Sequence, residues 1–191
     1  MLRQLFAKIL GMLALAFPGL GTAAALDVTL ATGQFGSWGA FAAEWRSHAS
    51  PTRECYVLLN KHVQGATALI LTSRVALDHP LPDVPRFMLS GSAPAGGPDF
   101  VEHTSDIAMI FDDGTEVPLE VVNRQVDQGV RYVDVAVVAD HLAAAVLGVG
   151  QSARVRARDG NRVFFDEAVD GFAEAYAHIA PHCGWSAAHD S

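Results

Sequence analysis

The chain has 191 residues, room for one domain of ordinary size, and half of them are apolar, enough for a core. Thirteen basic against 21 acidic residues leave a net charge of −8, which weighs against holding nucleic acid by bulk charge. Two cysteines are too few for a disulfide-dense scaffold or a four-thiolate zinc site.

Residues 1–25 differ from the rest. Arg3 and Lys8 form a basic start, Ile9 to Leu20 is apolar but broken late by Pro18 and Gly19, and Ala23-Ala24-Ala25 supplies small residues. That three-part pattern is a secretory leader with cleavage expected after Ala25. The apolar stretch, interrupted by proline and glycine, is marginal as a membrane span. Loss of Arg3 and Lys8, with no acid in 1–25, takes the net charge from −8 to −10. The mature chain, 26–191, is expected to be one β-rich domain.

Short strand-like runs then follow one another. Phe35 to Trp45, with Gly36 and Gly39 inside it, reads as a bent or bulged strand. Cys55 to Leu59 and Thr67 to Val75 read as two more. Five prolines and three glycines between Asp78 and Asp99 exclude a helix or a central strand there. A long surface loop (78–99) is expected, with Phe87-Met88-Leu89 docking on the body.

Asp112-Asp113-Gly114-Thr115, between Ile107–Phe111 and Val117–Val122, is a hairpin signature. Pro118 donates no ladder hydrogen bond and places its strand at an edge. Tyr132 to Val138 follows Gln128-Gly129, with Val133, Val135 and Val137 on one face. Asp140 is expected to cap a short helix that Gly148 closes. Ala153, Val155 and Ala157 then alternate with Arg154, Arg156 and Arg158, and Asp159-Gly160 turns this strand into Arg162 to Asp166. Asp170 opens a last helix with Phe172, Tyr176 and Ile179 on one stripe. About seven sequential strands and two short helices predict a mostly β fold: an antiparallel β-sandwich, or a curved sheet, capped by the helices.

Taken together, Phe35-Gly36-Ser37-Trp38, Cys55-Tyr56-Val57, Ile110-Phe111-Asp112-Asp113-Gly114, the helix Asp140 to Leu147, and Val169-Asp170-Gly171-Phe172-Ala173 resemble the invasion-associated locus B family of exported bacterial proteins. The resemblance spans most of the mature chain. It implies a periplasmic or envelope β domain with no catalytic residues to carry over. The Pro-rich insertion and the closing Cys183-Gly184-Trp185 depart from that family's pattern, and a host-invasion role does not transfer.

Cys55 and Cys183 are expected to pair, because an exported domain matures in an oxidising compartment; the alternatives are unpaired structural thiols, an intermolecular bridge or a reactive free thiol. His178 and His182 stand at the i, i+4 spacing that zinc sites use, with Cys183 and His189 near, although Pro181 between them is expected to end or kink the helix. Arg154, Arg156, Arg158 and Arg162 form an anion-binding stripe or a contact for an acidic partner, or else a solvated face balanced by Asp166 and Glu167 or a guard against edge-strand aggregation. Trp38, Phe41, Trp45 and Tyr56 could form an aromatic platform for sugar or peptide, or simply core. Asp112-Asp113 with Asp134 could pair as carboxylates, though acids in turns usually cap and solvate. Ser90-Gly91-Ser92 lacks the Gly-x-Ser-x-Gly frame, and no His-Glu-x-x-His or phosphate-cradling loop is present.

The expectation is a non-enzymatic exported domain that binds a protein or envelope component through the Pro-rich loop or the arginine face. It calls for no cofactor, no nucleic acid and no membrane span after leader removal. The alternatives are a metal-dependent protein or enzyme using the C-terminal histidines, or an envelope structural component with no discrete ligand.

Overall fold

Period-two alternation of apolar side chains builds most of this molecule. The computed structural model describes residues 26–47, 49–59, 68–78, 85–94, 101–102 and 106–185. The expected leader (1–25), His189 and both flanks of the Pro-rich segment (79–84 and 95–100) lie outside the described residues.

Ten strands form one antiparallel sheet: β1 (Val28–Phe35), β2 (Trp38–Trp45), β3 (Thr52–Leu59), β4 (Ala68–Ala76), β5 (Arg86–Pro94), β6 (Ile107–Ile110), β7 (Glu116–Asp127), β8 (Val130–Val137), β9 (Arg154–Asp159) and β10 (Arg162–Ala168). Their spatial order is β1-β2-β3-β4-β5-β8-β7-β6-β9-β10. Helix α1 (Leu142–Gln151) links β8 to β9, and helix α2 (Phe172–Cys183) follows β10. The curved-sheet expectation is the one that holds.

One face carries the core, and register keeps it continuous. Ala40 faces Val57, Val57 faces Leu71, Leu71 faces Phe87, and Leu89 faces Val135, all buried. Ala145, Val146 and Val149 of α1 and Phe172, Ala175 and Ile179 of α2 cover it.

The sheet curls until its two ends meet. Trp38 on β2 donates its indole N–H to the carbonyl of Val169, just past β10, at 2.9 Å in a buried bond. Its ring also meets Phe172 edge-on at 4.9 Å. Below this bond the turn at Gly36 lies against Asp170 and Gly171, backbone on backbone. The disulfide Cys55–Cys183 then ties the last turn of α2 to β3, across 128 residues of sequence.

Several expectations need correction. Phe35 to Trp45 is not one bulged strand: Gly36, at φ 55°, and Ser37 turn β1 back into β2. The Pro-rich segment contains a central strand. Its prolines fall at 80, 82, 85, 94 and 98, leaving 86–93 free to pair with β4 and β8 and to bury Phe87 and Leu89. Average composition hid that proline-free window, and deleting Pro80 to Pro98 would remove the strand. Pro118 is not at an edge. It sits where β7 passes from pairing with β6 to pairing with β8, so its missing N–H costs little, and its carbonyl accepts from Val138 N–H. Asp140 lies in a 3-10 turn and makes no cap hydrogen bond, and α1 runs past Gly148 to Gln151. Helix α2 starts at Phe172 behind a left-handed Gly171 and continues through Pro181. Proline in the final turn forfeits one hydrogen bond without ending the helix.

Candidate functional site

The arginine face is a lattice of ion pairs. Arg158 on β9 reaches Asp106 at 2.8 Å and, across β6, Glu116 on β7 at 2.7 Å. Arg154 pairs with Asp166 on the neighbouring β10. Arg162 bonds Asp159 at 3.4 Å and lies 3.7 Å from Glu102. Hydrogen bonding to Arg158 lowers the pKa of Glu116, and its two acids raise that of Arg158. Arg156 has no ion-pair partner among the described residues. Exposed pairs of this kind add little stability. Arg154, Arg158 and Arg162 therefore present neutralised charge to any partner.

At the other end of the sheet the charge is buried. Glu44 on β2 accepts from Arg46 and, at 2.7 Å, from Arg53 on β3. These hydrogen bonds, led by Arg53, hold its carboxyl below the usual glutamate range. A depressed folded value gives stability that is present above the unfolded pKa, near pH 4.3, and is lost as pH falls through the folded value. Glu44→Gln is therefore expected to destabilise the protein at pH 7 and to cost progressively less below about pH 4. Urea midpoints at pH 7 and pH 3.5 check this, and an equal loss at both would contradict it.

Among the described residues the histidine cluster gathers no set of metal ligands. His178 and His182 share α2, but His178 Nε2 faces the Thr32 carbonyl at 3.2 Å. A carbonyl only accepts, so Nε2 carries the proton. Cys183 is spent in the disulfide. Among the described residues no group of three or more His, Cys, Asp or Glu could hold a metal ion.

The aromatic set divides. Trp38 is core, whereas Phe41 and Tyr56 stack at 5.1 Å with Trp45 beside them on the opposite sheet face. Trp45 donates to Glu54, which also pairs with Arg74. The carboxylates do not converge. Asp112 accepts the backbone N–H groups of Ala153 and Arg154, Asp113 holds Thr115 in its own turn, and Asp134 accepts from Asn123. Ser90, Gly91 and Ser92 are paired within β5.

The feature that sequence reasoning missed lies between the helices. A pocket of about 270 Å³ opens between α1 and α2, lined by Val146, Leu147, Phe172, Tyr176 and Trp185, with small residues such as Gly150 and Ala177 between them. Trp185 and Tyr176 stack at 5.7 Å. The indole N–H of Trp185 donates to Ser73 Oγ at 3.0 Å in a buried bond, and left-handed Gly184 turns the chain to place it. Burial raises the Tyr176 pKa. The available signal was a departure from amphipathicity: Ala173 and Ala177 are exposed on α2, where charged residues are usual.

No helix among the described residues is long and apolar enough to cross a membrane. Compared with known protein families, with curated proteins and with solved structures, the chain shows no significant match.

Proposed function

We propose that this chain is an exported, non-enzymatic binding domain of the invasion-associated locus B type, holding a protein or envelope component in the bacterial periplasm or beyond. The buried Cys55–Cys183 disulfide carries the reading. Such bonds persist in oxidising compartments and are rare in the cytosol. Two of the motifs behind the resemblance also lock the fold together. Phe35-Gly36-Ser37-Trp38 meets Val169-Asp170-Gly171-Phe172 through the Trp38–Val169 bond and the Gly36–Gly171 contact. A partner site is supported by the pocket between α1 and α2, since apolar surface left unfilled forfeits packing that a closed core would keep.

Expression with the native leader in a Gram-negative host tests export. The protein is expected in the osmotic-shock fraction, with neither cysteine open to alkylation under denaturing, non-reducing conditions. Retention in the cytoplasmic fraction with two reactive thiols would overturn the reading.

A further inference from the structure

We propose that the pocket between α1 and α2 binds one hydrocarbon chain of an uncharged amphiphile and leaves the head group in water. This deepens the reading of the chain as an exported binding domain and rests on it.

The lining chooses the ligand. Among the described residues that line the pocket none is charged, and the polar groups are the Gln151 amide, the Tyr176 hydroxyl and the Trp185 indole N–H, which Ser73 already takes. An ionised group cannot enter without losing its hydration, and a peptide would bury backbone N–H and C=O groups with almost nothing to bond. A hydrocarbon chain asks for neither. The chain's net charge of −8 disfavours an anionic head group at the mouth. Volume sets the length. A cavity of about 150 Å³ takes one benzene ring of six carbons, so about 270 Å³ has room for roughly ten.

The site is also prepared in advance. Trp185 is fixed by its bond to Ser73, stacks on Tyr176, and follows Cys183, which the disulfide pins to β3. A wall that is already in place loses little freedom on binding. Leu147 at the rim is 38% exposed, an apolar side chain that a bound hydrocarbon would cover.

The test uses decyl maltoside, below its micelle concentration, titrated into the mature protein by calorimetry and tryptophan fluorescence. Saturable one-to-one binding is expected, with decyl sulfate weaker. Ala177→Leu should weaken decyl maltoside at least tenfold while leaving the unfolding midpoint unchanged or raised. Ala173→Leu is the second variant. Both alanines are exposed on a helix, so the larger side chain has room and folding is not at risk. No saturable binding, or equal binding by wild type and both leucine variants, would overturn the proposal. So would a wild-type dimer that Ala177→Leu converts to monomer, because a second chain would then fill the pocket. Binding by a protein that stays in the cytoplasm removes the export reading alone; export without binding removes the pocket proposal alone.

Discussion

The Gly171→Ala protein is expected to be less stable than wild type by about 3–5 kcal/mol, with unfolding by urea as the measurement. Two costs combine. Gly171 has φ 92°, where a side chain is strained by about 1–3 kcal/mol. A Cβ there would also lie 2.3 Å from the Phe35 carbonyl oxygen and 2.7 Å from its carbon. Those atoms are backbone, so the relief must come from moving the turn at Gly36 away from the link between β10 and α2. That shift loosens the contact that holds the curled sheet's ends together. Gly160→Ala is the control. It has φ 58° but nothing within 4 Å of its added Cβ, so only the conformational cost of about 1–2 kcal/mol is expected. Equal losses for the two variants would show that the contact between the sheet's ends carries no weight.

Loss of the disulfide is the second large effect. Cys55→Ala with Cys183→Ala is expected to cost about 2–5 kcal/mol. The bond closes a span of 128 residues, for which the chain-entropy model gives about 5 kcal/mol before any strain. Alanine is chosen because both positions are fully buried and a serine hydroxyl would need a partner there. The urea dependence should steepen as well, since an uncrosslinked chain exposes more surface on unfolding. A shallower or unchanged slope with full stability would mean that core packing alone holds α2 on β3.

Local patterns in the chain were good guides where neighbours in sequence decide the structure. The Asp112 to Thr115 hairpin forms, with Gly114 at φ 82° and its N–H bonded to the Phe111 carbonyl. The alternation of Val155 and Ala157 with Arg154 and Arg156 becomes buried and exposed faces of β9. The Cys55–Cys183 bond follows from having two cysteines in an expected exported chain.

Reading failed where a window's average concealed its interior. Five prolines masked β5, although none lies between Arg86 and Ala93. The two-residue turn at Gly36-Ser37 lies inside an apolar run that masks it. Contacts between distant segments were illegible for a different reason. Nothing local links Arg158 to Glu116 on β7, and nothing in α1 foretells that α2 will leave space above Gly150. Those features exist only after β8 has crossed back to pair with β5 and both helices have settled on one face.

Native mass spectrometry of the protein drawn gently from a periplasmic fraction tests the central claim, an exported domain locked by one internal disulfide. The expected mass is that of residues 26–191 less two hydrogens, unchanged by an alkylating reagent until a reductant is added under denaturing conditions. A mass that retains residues 1–25, or one that gains two alkyl groups without reduction, would contradict it.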